Sequence, residues 1–474
     1  MITDVRSGEA TTALILSLNV FLLLLAYYLA KTVREPLILG TPGGAATKAY
    51  SSVFLSLLLL AWVPAYGLVA QRFGRMKLIT YVTFFFASCL VIFAILGALD
   101  VHIGVPFFLW TGLFGLSVVA QFWAFAADVY TPEQGKRLFV ILGIGSSVGA
   151  AAGGEIAALL LKGAGSFGGI GPYFTMLAAA FVLLVCLALT RYIHRREEAR
   201  KQQQGGAPAT TAPMEKGGAF ALVLSDRYLL LIATLMLVLN CANTIGEYIL
   251  DRTLIAEAGR QMLGAKDSGK FIGAYKGHYF TLINLFGLMM QFFVVSRIIK
   301  HLGVRIALFV MPVVALVGYT GVFLQPVLNM VRTTKIGENG LDYSLQNTIR
   351  NALFLPTSRE AKYKAKTAID TFFVRGGDAV AAAVVYAGTA WSWETGHFAL
   401  FNLGLIGVWL VIVAFIGKAF AERAAQVAAA NAPEVEGQEA GDTKECPWCH
   451  EHVPLTTRLI PVEVCPRCEL PFRQ

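Results

Sequence analysis

Three basic side chains stand where an apolar helix does not hold them without compensation. In the string Tyr27-Tyr-Leu-Ala-Lys31-Thr-Val-Arg34-Glu35-Pro36, an apolar run ends in two cations and a carboxylate. Lys31 and Arg34 are three apart and Lys31 and Glu35 four apart, so all three share one helix face. Arg350 is the third cation, flanked by apolar residues, with Tyr343 and Asn347 on its face. A cation near the centre of a spanning helix costs about 2.5–3.5 kcal/mol, so three of them cost on the order of 10 kcal/mol. A shared aqueous cavity in which an anion neutralises them avoids that cost, and the implied chemistry is anion binding. Asn240, Asn243 and Glu247 follow the i, i+3, i+7 stripe of another apolar helix. Glu247 and Glu35 could hold the cations while no anion is bound.

A second constellation lies near the C-terminus. Cys446-Pro-Trp-Cys449 and Cys465-Pro-Arg-Cys468 are two Cys-x-x-Cys knuckles separated by fifteen residues. Four thiolates at this spacing suit one tetrahedral Zn ion, a zinc ribbon. Redox-active or paired thiols are the alternative, disfavoured on a reducing cytoplasmic tail. Cys89, Cys186 and Cys241 fall inside apolar runs and read as small core residues.

The elements that must position these groups are membrane helices. Hydrophobic residues make up 56% of the 474, charged residues 15%, and the mean hydropathy is +0.62. Soluble chains are about 45–50% apolar and about 25% charged. The apolar residues come in runs of about twenty, enough to span a bilayer, where only helices and closed barrels are viable. Twelve spans are expected, the seventh ending at Ile249 and the eighth starting at Tyr275, with Asp251–Lys276 read as a loop of mixed charge. The first span is too long for a cleaved signal and is expected to be retained. Cation-rich connectors at Arg72–Lys77, Lys136–Arg137, Arg191–Lys201, Arg297–Lys300 and Arg359–Lys364 fall on one side. Both termini are therefore expected to be cytoplasmic, in an inner (plasma) membrane. The net charge of +9 reflects this bias; with no basic soluble domain, nucleic acid is not an expected partner.

The polar stretch 195–218 divides the spans six and six, giving helical bundles over 1–194 and 219–423. An acidic, Ala-rich tether over 424–444 and the ribbon over 445–474 follow. Lys31-Thr-Val-Arg-Glu35 and Asn243-Thr-Ile-Gly-Glu247 are weakly alike, as expected of parallel six-span repeats around a central site. Gly145, Gly149 and Gly153, four apart, let helices approach closely. Blander readings stand beside these: Lys31 with Glu35 as a snorkelling pair, Glu247 at headgroup level, Arg375 with Asp378 as an internal pair, and Asp128 and Glu155 as inter-helix partners.

Four strings resemble the ATP/ADP translocase-type nucleotide transporters of plastids and intracellular bacteria, a major-facilitator-like family. They are Tyr28–Ile38, Phe122–Gly143, Asn243–Glu247, and Tyr343–Pro356 with Glu360–Asp370. The resemblance covers roughly Ala13 to Phe420 and leaves out the tether and ribbon. It implies a non-enzymatic secondary transporter, twelve helices in two bundles, exchanging ATP- and ADP-like nucleotides. Arg34, Glu247 and Arg350 then take the places of family residues important for exchange, and Lys31, Arg34 and Arg350 would grip phosphate oxygens. Arg stands for Lys at two of these positions, and Asn347 and Asn351 stand where acids are usual. Arg binds phosphate bidentately where Lys is a point charge, so coupling need not be preserved. Two other readings remain: a proton-coupled carrier of another anion or a drug-like solute, and a receptor or scaffold whose ribbon recruits a cytoplasmic protein.

Overall fold

The computed structural model describes residues 9–130, 132–163, 171–204, 219–358, 361, 365–430, 443–445, 452–454, 456–457 and 460–461. The chain divides into two units, Met1–Glu422 and Arg423–Gln474. The described residues of the first form helices and the turns between them. Its helices are α1 (Ala10–Leu39), α2 (Gly44–Arg72), α3 (Arg75–Ala98), α4 (Gly104–Phe114), α5 (Ala120–Val129), α6 (Pro132–Gly163), α7 (Gly171–Gln204) and α8 (Ala219–Ser225). They continue with α9 (Arg227–Arg260), α10 (Ala265–Met290), α11 (Ser296–Leu324), α12 (Leu328–Leu341), α13 (Asn347–Leu353), α14 (Lys366–Ala368), α15 (Val374–Ala390) and α16 (Thr395–Ala430). Short π turns join α4 to α5, α10 to α11, α12 to α13 and α14 to α15 without breaking the rods.

Among the described residues, nine helical runs are long and apolar enough to cross a membrane. One of them, Asp267–Leu324, is 58 residues long and turns at Gly303, whose φ of +71° a side chain would resist. The rods Leu328–Leu353 and Lys366–Ala390 are not among the nine. The first carries Arg332, Lys335, Glu338, Asp342 and Arg350, too polar for a lipid-facing helix.

Two expected boundaries need correction. Asp251–Lys276 is mostly not a loop: α9 runs on to Arg260 and α10 begins at Ala265. Hydropathy ends a span at its first charges, whereas charges neutralised by neighbouring helices leave the rod intact. Asp226 starts α9, its carboxylate accepting from the Tyr228 amide at 2.9 Å.

Each half has its own apolar core. α6 lies against α1, and its glycines serve that packing: a Cβ on Gly149 would run into the Phe21 backbone. The opposite edge of α6 crosses α10, where Gly154 meets Gly277 and joins the halves. A third apolar cluster spans both halves at the end holding the α1–α2 and α9–α10 loops. Ile38, Leu39, Leu55 and Phe108 there meet Leu254 and Ile272.

In the second unit, Thr443–Glu445 pairs antiparallel with His452–Pro454, and Thr456–Thr457 with Ile460–Pro461. Cys446, Cys449, Cys465 and Cys468 lie outside the described residues.

Candidate functional site

The last turns of α1 present Tyr27, Lys31 and Arg34 along a partly open stripe, while Glu35 turns into the seam between the halves and is fully buried. Arg34 sends Nη2 to Glu35 Oε1 at 2.7 Å and lays its guanidinium 4.6 Å from the centre of the Phe108 ring. Lys48, from the first turns of α2, reaches Glu35 Oε2 at 2.5 Å and Asp251 Oδ2 at 2.8 Å. Lys276 of α10 pairs with Asp251 Oδ1 at 2.5 Å, Glu247 Oε2 at 3.5 Å and Glu35 Oε2 at 3.8 Å. Lys335 of α12 meets Glu338 at 2.8 Å, Asn243 Oδ1 at 2.6 Å and Glu247 Oε1 at 3.7 Å.

The result is a continuous chain of alternating charge: Arg34, Lys48, Lys276 and Lys335 against Glu35, Asp251, Glu247 and Glu338. Four against four leaves it neutral, which is how such groups survive in a low-dielectric interior. Two of its links cross the seam, Lys48 to Asp251 and Lys276 to Glu35. The apolar cluster around Ile38, Phe108 and Leu254 lies in the same region of these helices. Together they hold the halves shut at the α1–α2 loop end.

Glu247 is the carboxylate of this chain most open to water, its side chain 25% exposed against 2% or less for Glu35, Asp251 and Glu338. Its Oε1 accepts from the Tyr279 hydroxyl and the Asn339 amide, each at 2.8 Å. Lys31 behaves differently. Among the described residues it has no carboxylate at ion-pair distance, and its ammonium lies 4.6 Å from the Phe280 ring centre and 4.9 Å from that of Tyr28.

Of the residues singled out in the sequence, Lys31, Arg34, Glu35, Asn243 and Glu247 are thus brought to one region. Arg350 and Asn347 are not. Arg350 sits fifteen residues beyond Lys335 on the same rod, about 22 Å along its axis at 1.5 Å per residue. There Nη2 donates to Asn347 Oδ1 at 3.0 Å and Nε faces Asp370 at 3.8 Å. Arg375 pairs with Asp378 at 3.1 Å, and Asp378 also accepts from Asn240 and Thr244, which draws Asn240 away from the seam. Asp128 pairs with Arg75, and Glu155 with His278.

Lys48 and Asp251 were missed because they fell in assumed loops, and Lys276 because it stood where the assumed loop met the eighth span. A signal existed: Lys276 and Tyr279 are three apart, as are Asp251 and Leu254, so each charge shares a helical face with buried residues. Among the described residues no cluster of three or more His, Cys, Asp and Glu suits a metal ion.

Known proteins resemble this chain in sequence and in fold. The profile of the family described as TLC ATP/ADP transporter matches residues 106–420. A protein named ADP,ATP carrier protein 1 from Chlamydia pneumoniae is 23% identical over 349 residues, covering 64% of this chain and 65% of the relative. Its namesake from Chlamydia muridarum is 23% identical over 63% of this chain and 62% of its own length. The match therefore spans less than two thirds of these relatives. Solved transporters share the fold. The nucleoside transporter NupG superposes with a TM-score of 0.57 at 12% identity, over 88% of this chain and 99% of that one. A POT family transporter in complex with a thioalcohol-conjugated peptide gives 0.61 at 14% identity, over 86% and 96%. A bacterial homologue of ferroportin, described as inward-facing, gives 0.57 at 14%, over 88% and 99%.

Proposed function

Because the chain belongs to the TLC ATP/ADP transporter family, we propose that it exchanges nucleotides of the ATP and ADP type across a membrane by alternating access. Twelve spans in two six-helix bundles would rock about the α6–α10 crossing. On the positive-inside reading, the end held shut by the salt-bridge chain is external and the other end faces the cytoplasm, as do both termini. No covalent chemistry is involved.

The observation that carries the reading is the open carboxylate of Glu247 between Lys276 and Lys335, next to the carboxylate-free Lys31. Lys31 offers a phosphate its first contact, and Arg34 follows. Further phosphate oxygens displace Glu247 from its lysines, and Glu35 from Lys276. Opening the sealed end without cargo separates Lys48 from Asp251 and Lys276 from Glu35. A buried pair that loses one partner costs about 3–5 kcal/mol. A bound polyanion supplies replacement charge, so the loaded carrier reorients and the empty one does not. That asymmetry is what makes a carrier an exchanger. Arg350, far down the same rod, acts at the open mouth and meets the nucleotide before or after the central station.

The test is uptake of radiolabelled ATP into proteoliposomes. Uptake that requires internal nucleotide, persists with a protonophore and falls in Glu247→Ala and Arg350→Ala supports exchange. Uptake that needs no internal nucleotide and collapses with a protonophore replaces it with proton coupling.

For the tail we propose one structural Zn held by Cys446, Cys449, Cys465 and Cys468, in a ribbon available to a cytoplasmic protein partner. The reading rests on the two Cys-x-x-Cys pairs fifteen residues apart, a spacing that suits one tetrahedral ion. About one zinc per purified chain, lost in Cys449→Ser, is the expected metal content.

A further inference from the structure

The polar face of the α12–α13 rod carries an aromatic side chain that the charge network does not use. Leu345, Ile349 and Leu353 pack inward, while Asn347, Arg350 and Asn351 are open or partly open. Amides and a guanidinium do not face hydrocarbon at this depth, so that side of the rod looks into water. Tyr343 belongs to it: the residue is 46% exposed, one α-turn before Asn347. It lies in the π turn Asp342–Gln346, which shifts the register of the residues that follow. Such turns concentrate at functional sites.

Across the gap stand rings from both halves. Tyr27 is partly open and makes an edge contact with Tyr28, ring centres 5.4 Å apart. Tyr28 meets Phe280 of α10 edge-on at 5.8 Å and donates its hydroxyl to Asn284 Oδ1 at 3.3 Å. Tyr343 is a hydrogen-bond neighbour of Tyr28, the ring that Tyr27 contacts. Lys31 sits among these rings with no carboxylate partner, within 6.0 Å of the Tyr27 ring centre. Rings buried only for packing would not leave Tyr343 half open on a wet polar face.

We propose that Tyr343 and Tyr27 form a nucleobase platform, and that Lys31 takes the adjoining phosphate. This deepens the exchange reading and rests on it. The platform gives the carrier a way to prefer nucleotides over bare polyphosphates, which the salt-bridge chain alone does not provide. Stacking tolerates any base because every base has a π face. The Asn284 amide is already engaged with the Phe280 carbonyl at 2.8 Å, so the platform reads aromatic area more than base edges. Purine nucleotides are therefore favoured over pyrimidine nucleotides, with little discrimination between the purines.

The experiment measures how unlabelled ATP and inorganic triphosphate compete with labelled ATP for uptake into ATP-loaded proteoliposomes. Losing one stacking ring weakens binding by roughly 5- to 150-fold. Tyr343→Leu is expected to weaken ATP by that factor while shifting triphosphate by less than about threefold, and Tyr343→Phe to recover most of the loss. Equal weakening of both competitors, or of neither, overturns the platform while leaving nucleotide exchange standing. Wild-type vesicles that neither take up nor bind nucleotide overturn both readings.

Discussion

Asp251→Asn isolates the seal between the halves. The carboxylate is buried and accepts two ion pairs, from Lys48 at 2.8 Å and Lys276 at 2.5 Å. The amide is nearly isosteric, so packing is preserved and only charge is lost. Lys48 keeps Glu35 at 2.5 Å, and Lys276 keeps Glu247 at 3.5 Å with Glu35 at 3.8 Å. Neither lysine is stranded, which places the cost at the low end of the range for a broken buried pair, about 3 kcal/mol. The cost falls on the shut state, because the Lys48–Asp251 link exists only while the halves meet at this end. At 1.4 kcal/mol per decade, the balance between shut and open moves about 150-fold toward open. Spin labels at Thr41 and Leu263, in the α1–α2 and α9–α10 loops, report that balance by electron–electron distance. The expected result is a longer-distance population in Asp251→Asn without nucleotide, where the unsubstituted protein gives one short distance. An unchanged distribution in a folded variant means that the apolar cluster around Ile38 and Leu254 closes this end alone. The argument for obligatory exchange would then be wrong.

Glu247→Gln removes the competitor for Lys276 and Lys335 but keeps an oxygen for Tyr279 and Asn339; nucleotide affinity should rise about tenfold, roughly 1.4 kcal/mol, while exchange turnover falls, as read by binding and uptake on one preparation. Gly149→Ala drives a methyl into the Phe21 backbone and should cost about 1–3 kcal/mol, whereas Gly143→Ala on the same helix meets nothing within 4 Å and should be neutral or slightly stabilising. Thermal unfolding in detergent separates the two. Glu155 and His278 form a 3.0 Å pair across the α6–α10 crossing, each side chain 41% exposed beside the exposed apolar Ile156 and Leu282. His278→Leu strands a carboxylate there and should lower the yield of inserted protein, and adding Glu155→Leu should restore it.

Composition and hydropathy carried the helical membrane class, because burial in lipid is a property of each helix by itself. The apolar runs made α1, α3, α7 and α16 readable to within a few turns. The face bearing Lys31 and Arg34 was also readable, since the stripe is local to one helix. The glycine stripe was legible as close packing but not as to its partner: four-residue spacing says that a helix comes near, and only the fold says that it is α1.

What sequence could not show is which charge meets which. Lys48 and Asp251 are 203 residues apart in sequence and 2.8 Å apart in space. Hydropathy treats each as a reason to end a helix, because it prices a charge as if it stood alone in hydrocarbon. In a seam between two bundles the price depends on the partner, and a neutral chain of eight side chains lets helices carry charge well past the boundary that hydropathy assigns. Arg350 shows the same limit: its apolar flanks made it resemble Lys31 and Arg34, but helix rise puts it about 22 Å along the rod from Lys335, where Asn347 and Asp370 stand beside it. Charged residues at membrane depth therefore mark where helices meet and leave the pairing within that region unread. That Lys31 has no carboxylate at ion-pair distance among the described residues became visible only once the partners of Arg34, Lys48, Lys276 and Lys335 had been located.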